Sequence, residues 1–450
     1  MSSTGIIGGG PAGLLLAVLL ARRGERVQVY ERRPDPRATA AEAGRSINLA
    51  LALRGLRALE GAGVMPALQG ALVPMRGRML HPEHGRPEFI PYSQHEREAI
   101  YSISRAELTR CLTRAAGAED GVRLHFNQRC IGLDAAGEPR LRDELTGREY
   151  SGVAARWVGA DGAGSAIRHG LRDEGQLSFR EEPLGHDYKE LTIPAAAGRP
   201  QLEREALHIW PRGGFMLIAL PNADDTFTAT LFLPPQGALS FAALQTDEAV
   251  RVFFTAQFPD AVELLPDLTA QFAAHPQGRL ATVYTEPWNF GERMLLIGDA
   301  AHAIVPFHGQ GMNCAFEDCR VLDALLAQDP QGDAFERFSA TRKPDADAIA
   351  QMALENYEEM RATVLDPRFQ LQKKVSLELE RRHPQRFIPR YSMVMFHDEI
   401  RYSTALARGA VQQQILDELT APMAHGALPE LAQVDWRLAD ARIAAQLAPL

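Results

Sequence analysis

The sequence predicts an α/β protein: a parallel sheet flanked by helices, an antiparallel sheet laid on it, and a helical C-terminal segment. Three observations lead there. Residues 5–31 read as strand, helix and strand with glycines at the first turn. From Leu184 to Leu233 the pattern changes to alternating runs separated by Pro and Gly turns. Beyond residue 331 the apolar residues recur at helical spacing. With 450 residues, 46% hydrophobic and 23% charged, the chain suffices for two or three domains.

The stretch GIIGGGPAGLLLAVLLARRGERVQVYE carries the most specific local pattern. A short β-type run meets Gly8-x-Gly10-x-x-Gly13, Pro11 opens an apolar helix, Gly24 caps it, and Val27 to Tyr30 form a second strand. Gly8 makes the tight turn, Gly10 lets a pyrophosphate touch the backbone, and Gly13 packs helix on strand. Glu31, with Arg32 beside it, ends the second strand where a ribose hydroxyl can be bound. This is a Rossmann-like dinucleotide-binding unit. An acid at 31 favours a dinucleotide without a 2′-phosphate, FAD or NAD.

In GRSINLAL, Gly44 to Leu51, the polar Arg45 and Ser46 head an apolar run and either face a ligand or start a solvated helix. Residues 76–101 carry Pro82, Pro87 and Pro91 and read as irregular strands at a sheet edge, with Arg76, Arg78 and Tyr92 among them. Ser102 to Ala116 reads as a helix with Ser104 as N-cap and Glu107 completing a capping box. Arg105 in its first turn is badly placed for the helix dipole, which points to an anion nearby. Val122–Phe126 and Tyr150–Val158 read as strands, the second stopped at Asp161 and Gly162.

Ala206–Trp210, Gly214–Leu220 and Thr226–Leu233 make the antiparallel sheet, with Ile218, Leu220 and Phe232 as candidate walls of a ligand site. After a strand at Leu280–Tyr284 comes LLIGDAAHAIVPFHGQGMNCAFED, Leu295 to Asp318. Its strand stops at Gly298, so Asp299 sits at a strand end, where its carboxylate can accept hydrogen bonds from hydroxyls. After the bend at Pro306, Gly309 and Gly311 admit a close ligand, and a helix from Met312 to Leu326 points its N-terminus at it. A phosphate, or a ring that becomes anionic, suits that end; a flavin offers both. Helices follow at Ala334–Val364 and Arg368–Arg381. The expected division is 1–75, 101–180 and 278–365 as a discontinuous dinucleotide-binding domain for FAD or NAD, 76–100 and 181–277 as the antiparallel-sheet substrate domain, and 366–450 as the C-terminal helical region.

The formal net charge is −9 and the arginines are dispersed, which argues against nucleic acid and for a small-molecule partner. Cys111, Cys130, Cys314 and Cys319 lack metal or disulfide spacing, so no metal is expected. No signal peptide is read at the N-terminus, and the longest strongly apolar run, Leu14 to Ala21, is too short to span a bilayer; a cytoplasmic protein is expected.

The strand-end signatures at Gly8–Gly13, Asp161–Gly162 and Gly298–Asp299 together resemble those of the single-component flavoprotein aromatic hydroxylases. YERRPDPR at Tyr30, GRSINLAL at Gly44, MRGRM at Met75, HIWP at His208, VPFHGQGMN up to Asn313, LENYEEM at Leu354 and RFIPRYSMV at Arg386 are most similar to the branch acting on kynurenine. The resemblance implies a p-hydroxybenzoate hydroxylase-like fold holding FAD tightly but non-covalently. Its contacts would be Gly8, Gly10, Gly13, Glu31, Arg32, Arg45, Arg105, Asp161, Asp299, Pro306, Gly311, Met312 and Asn313. It implies that Arg78, Tyr92 and Tyr391 bind the carboxylate of L-kynurenine, that Asn356 binds its amino-acid head near Met360, and that Ile218, Leu220, Phe232 and Phe307 supply an apolar slot.

His308 and Phe307 would lie beside the flavin, and no residue is assigned proton transfer, because the ring amine already activates the substrate. The reaction so implied is NADPH- and O2-dependent hydroxylation to 3-hydroxy-L-kynurenine through a flavin C4a-hydroperoxide, a step of tryptophan catabolism. No second GxGxxG is present for NADPH, which fits a transient donor. The family's mitochondrial members carry a C-terminal membrane anchor, whereas Leu428 to Leu450 contains Asp435, Arg437, Asp440 and Arg442. The C-terminal helices would then either cover the substrate pocket or mediate a homodimer. Three other readings compete: a related hydroxylase of a phenolic acid, an FAD-binding redox protein without hydroxylation, and an NAD-dependent dehydrogenase.

Overall fold

The computed structural model describes residues 3–38, 48–95, 97–329, 332–422 and 428–450. Its six-stranded sheet runs in the order Asn289–Phe290, Met294–Leu296, Arg156–Gly159, Ser3–Ile7, Arg26–Tyr30 and Val122–His125. The last five are parallel, and Ile7 is in register with both Tyr30 and Gly159. Their carboxyl ends therefore form one edge, which carries Gly8, Glu31, Ala160 and, just past Leu296, Gly298. In an open α/β sheet that edge is where a ligand crevice forms.

Helix Pro11–Arg22 buries Leu14, Leu15, Leu16, Val18 and Leu20 between this sheet and helices Arg105–Ala118 and Gly311–Gln328. The glycines work as their spacing predicts. Gly8 has φ 109°, and a Cβ on Gly13 would lie 2.0 Å from the Gly8 carbonyl oxygen. Ser104 is the N-cap of Arg105–Ala118 but makes no side-chain capping bond, and Glu107 turns instead to Arg110, so the expected capping box does not close. The expected strand Tyr150–Val158 is two: Glu149–Ser151 belongs to a small three-stranded sheet and Arg156–Gly159 to the main one.

The second sheet has seven strands, ordered Gly278–Glu286, Ser178–Ile193, Phe227–Leu233, Met216–Pro221, Ala206–Pro211, Gly77–Leu80 and Glu88–Pro91. Its strands Ala206–Pro211, Met216–Pro221 and Phe227–Leu233 alternate with period 2. Leu191, Trp210, Leu217, Ala219, Ala229 and Leu231 face a phenylalanine-rich core under helix Asp247–Gln257, whereas Ile209, Met216, Ile218 and Phe232 face the first domain. Ser178–Ile193 is not marked by alternation in the sequence, because its register shifts between Pro183 and Asp187. Gly278–Glu286 pairs with it in this sheet, although the sequence boundary at 278 groups those residues with the first domain.

Helices Pro367–Arg382, Tyr402–Leu419 and Trp436–Gln446 close the chain around Val375, Leu379, Phe387, Ile415 and Ile443, while Arg390–Phe396 packs Met393 and Val394 into the core of the first domain. Among the described residues no helix is long and apolar enough to cross a membrane. The four cysteines are free thiols.

Candidate active site

A cavity of about 370 Å³ lies between the two sheets. Gly10, Pro11 and Ala12 line it from the first turn, Ala160 and Gly162 from the third strand end, and Asp299, Pro306, Gly309, Gly311 and Met312 from the loop after Met294–Leu296. Gly10 is the N-cap of its helix, and a Cβ there would meet no protein atom. Asp299 is exposed towards this space at the start of the short helix Asp299–His302.

The turn that presents Asp299 is held from behind. Gly298, at φ 55°, donates its N–H to Asp318 Oδ2 at 3.0 Å, and His302 Nε2 lies 2.6 Å from the same oxygen. Arg342 Nε donates to Asp318 Oδ1 at 2.9 Å, and its Nη1 lies 2.7 Å from Glu317. Burial opposes ionisation of Asp318, but the His302 and Arg342 charges outweigh it and hold the carboxyl at about 2. His302, Cys314 and Asp318 are close enough together to suggest a metal site, yet the Arg342 guanidinium already serves both Asp318 and Cys314. This is an ionic buttress for the Asp299 turn.

At the far end of the cavity stands Arg78 on Gly77–Leu80. Its Nη1 donates to Glu359 Oε1 at 2.9 Å and its Nη2 to Asn356 Oδ1 at 3.4 Å. The guanidinium lies 5.0 Å from the Tyr391 ring centre and 5.8 Å from that of Tyr92. Tyr391 stacks between Tyr92 and His308, with ring centres 5.3 Å apart on both sides. Arg78 Nε, Tyr92 Oη and His308 Nδ1 are buried without hydrogen-bond partners. Each is a polar atom that a polar ligand could engage. Between them and the loop glycines the walls are apolar: Ile218, Leu220, Phe232, Phe307 and Met360.

The charges here are strongly biased. Burial opposes ionisation of Glu359, but Lys373 and Arg78 outweigh it and hold the carboxyl at about 2. Arg78 is raised against its burial by Tyr391 and Glu359. Burial pushes His308 down to about 3, so it is a neutral ring rather than an acid. Burial also pushes Glu190, which lines the cavity, up to about 7 against the pull of Arg105.

Most of the expected residues converge on this cavity, with corrections. Arg78 and Tyr391 line it together with Arg105, while Tyr92 and Asn356 stand on the other side of Arg78 and line an adjoining cavity. The Asp161 carboxylate does not line it. Oδ2 accepts from Ala166 N at 2.7 Å, capping helix Ala166–Asp173, while Oδ1 is buried without a partner; only its backbone neighbours reach the cavity. The Asn313 amide is consumed inside the protein, accepting from Ala52 N and donating to Ala50 and Gly309 carbonyls, so it pins the loop and does not line the site. Arg32 is exposed and does not line it either. Glu31 accepts from Gly9 N at 2.8 Å and from Arg33. Arg45 lies outside the described residues. Glu359, Lys373, Glu190 and Asp318 were not singled out from the sequence. Of these, Glu359 sits inside LENYEEM and Asp318 closes the stretch LLIGDAAHAIVPFHGQGMNCAFED, while Lys373 and Glu190 lie in no quoted motif.

Residues 1–357 match the family described as FAD binding domain. Over 449 residues the chain is 49% identical to the kynurenine 3-monooxygenase of Xanthomonas euvesicatoria pv. vesicatoria (strain 85-10), covering 99% of this chain and 97% of that protein. The chain belongs to the kynurenine 3-monooxygenase family. Its relative of that name in Stenotrophomonas maltophilia (strain K279a) is 48% identical over 450 residues, at 99% and 97% coverage.

Two solved structures share the fold at lower identity. The tetrameric form of 2-methyl-3-hydroxypyridine-5-carboxylic acid oxygenase superposes with a TM-score of 0.66 at 20% identity, covering 82% of this chain and 94% of that one. P. aeruginosa PqsL in complex with 2-aminobenzoylacetate does so with a TM-score of 0.63 at 21% identity, covering 81% and 99%. As a member of this family the chain is a flavoprotein enzyme with FAD as its cofactor. The site fits that group: an open helix N-terminus at Gly10, a presented carboxylate at Asp299, and a second helix N-terminus at Gly311 face one cavity.

Proposed function

We propose that this enzyme hydroxylates L-kynurenine to 3-hydroxy-L-kynurenine with NADPH and O2, and that Arg78 is the anchor for the substrate's carboxylate. The observation that carries the reading is a buried guanidinium, flanked by two tyrosines and orphaned at Nε, at the end of an apolar slot that opens on the flavin cavity. A planar fork suits a carboxylate. Tyr391 and Tyr92 supply hydroxyls beside it, and Asn356 and Glu359 can take the α-ammonium. Ile218, Leu220, Phe232 and Phe307 then hold the aromatic ring.

When bound, FAD reduced by NADPH supplies the activated oxygen. Gly10 and the start of Pro11–Arg22 would hold its pyrophosphate, Glu31 a ribose, Asp299 the ribityl chain, and the N-terminus of Gly311–Gln328 the ring. The chain's own task is to orient the substrate ring and keep water away, which the apolar walls do. His308 is neutral and pressed against Tyr391, so it shapes the slot rather than moving a proton. The substrate's amine activates its ring, and the site needs no base.

The test is NADPH consumption by the purified protein with and without L-kynurenine, with the product identified by mass. Accelerated consumption with one oxygen added to kynurenine supports the reading. Accelerated consumption yielding only H2O2 would make kynurenine an effector, and no acceleration would remove it as substrate. A phenolic acid that outperformed kynurenine would favour the related-hydroxylase alternative.

A further inference from the structure

A second cavity, of about 290 Å³, lies behind the first, between strand Glu88–Pro91 and helices Pro367–Arg382, Arg390–Phe396 and Tyr402–Leu419. The two cavities share three lining residues, Arg78, His308 and Tyr391. Where they meet, the partition is one guanidinium and two stacked rings. Side chains can swing aside by rotamer changes that backbone cannot match in speed. The division of labour is also informative. Gly10, Arg105, Asp299 and Gly311, on the cofactor side, line only the first cavity, while Tyr92, Asn356 and Glu359, beside the carboxylate anchor, line only the second. The head-group end of the slot therefore backs onto the second cavity.

Its polar wall is cationic in a chain of net charge −9. Lys373, Lys374 and Arg390 stand there with Arg78, against Glu88 and Glu359. Arg390 is engaged by Glu355 at 2.5 Å. Glu359 is shared: its Oε1 lies 2.9 Å from Arg78 Nη1 and 3.6 Å from Lys373 Nζ. One carboxylate between two cations leaves a positive charge that an incoming anion can neutralise. Ile90, Phe369, Leu377 and Leu416 line it as well, and Lys373 Nζ lies 5.0 Å from the Phe369 ring centre. Cations set beside apolar side chains match an aromatic carboxylate and would concentrate it at the entrance.

We propose that this second cavity is the intake and exit chamber for the aromatic amino-acid substrate. Lys373 meets the carboxylate and passes it to Arg78, while Glu359 shifts its pairing from Arg78 to Lys373 and the ring follows along Ile90 and Phe369. The proposal rests on the substrate reading above.

Two variants test it. Ser376, buried on Pro367–Arg382, lines the chamber, so Ser376→Phe fills the path without touching the anchor. Lys373→Gln removes the charge that meets the ligand. Stopped-flow mixing of the oxidised holoenzyme with L-kynurenine, followed through the flavin spectrum, reads the rates. In Ser376→Phe the association and dissociation rate constants should both fall by roughly tenfold or more while Kd stays within about threefold, because a plug obstructs the route and not the site. In Lys373→Gln association should fall by about threefold or more and lose part of its dependence on ionic strength.

Association rates unchanged in Lys373→Gln and in a folded, FAD-loaded Ser376→Phe would overturn the proposal. So would a Kd that rises in Ser376→Phe through faster dissociation alone, since that marks the chamber as structural support. If Ser376→Phe does not fold, Lys373→Gln decides by itself. A wild-type flavin spectrum that ignores L-kynurenine overturns the substrate reading first, before any variant is made.

Discussion

Arg78 Nη1 and Glu359 Oε1 lie 2.9 Å apart, with side chains only 8% and 17% exposed. A largely buried ion pair at the end of an apolar slot is costly to leave incomplete, because removing one partner strands the other in a poor solvent. Glu359→Gln should therefore destabilise the substrate-free enzyme, by about 3 kcal/mol. A carboxylate ligand supplies the missing anion at Arg78, so saturating L-kynurenine should raise the melting temperature more in Glu359→Gln than in the wild type. Thermal denaturation with and without ligand measures both effects.

The Asp299 turn depends on Asp318, whose oxygens take Gly298 N–H, His302 and Arg342. Asp318→Asn keeps the size and loses the charge. It should cost about 3 kcal/mol of stability and loosen the cofactor, since the backbone presenting Asp299 loses its brace. FAD retained per chain after gel filtration, read by absorbance, should fall relative to the wild type.

Burial holds His308 down to about 3, from 6.5 in the unfolded chain. The unfolded chain therefore takes up the proton more readily. The stabilisation is complete above pH 6.5 and is lost progressively as the pH falls towards 3, amounting to about 2 kcal/mol at pH 5. His208, held by burial at about 4, acts in the same direction. Below pH 4.5, Glu359 and Asp318, both held at about 2, extend the loss. Stability measured across pH 4 to 7 should fall with acid, and His308→Gln should flatten that slope without abolishing it.

The nucleotide-binding half was legible because its chemistry is local: Gly8 to Gly13, Glu31 and Gly298–Asp299 fall at element ends that the sequence marks. The antiparallel sheet was legible wherever alternation is clean, at Ala206–Pro211, Met216–Pro221 and Phe227–Leu233. Ser178–Ile193 was missed because a register shift breaks its period. Lys373 and Asp318 were invisible for a different reason. Each acts through a partner distant in sequence, Lys373 on Glu359 and Asp318 on Gly298, and such pairing leaves no local pattern. Asp161 and Asn313 err the other way. They stand inside motif stretches, but their side chains serve a helix cap and a loop tether, while the backbone around them faces the cavity.

Arg78 as the proposed carboxylate anchor is tested most directly by comparing kynurenine with its decarboxylated analogue on the wild type and on Arg78→Ala. The wild type should favour kynurenine in kcat/KM by roughly 10²-fold or more, in line with a buried charge pair. Arg78→Ala should retain its FAD, lose most of its rate on kynurenine, and discriminate between the two compounds by less than about threefold. Undiminished discrimination in an FAD-loaded Arg78→Ala would place the carboxylate elsewhere and rule out Arg78 as its anchor.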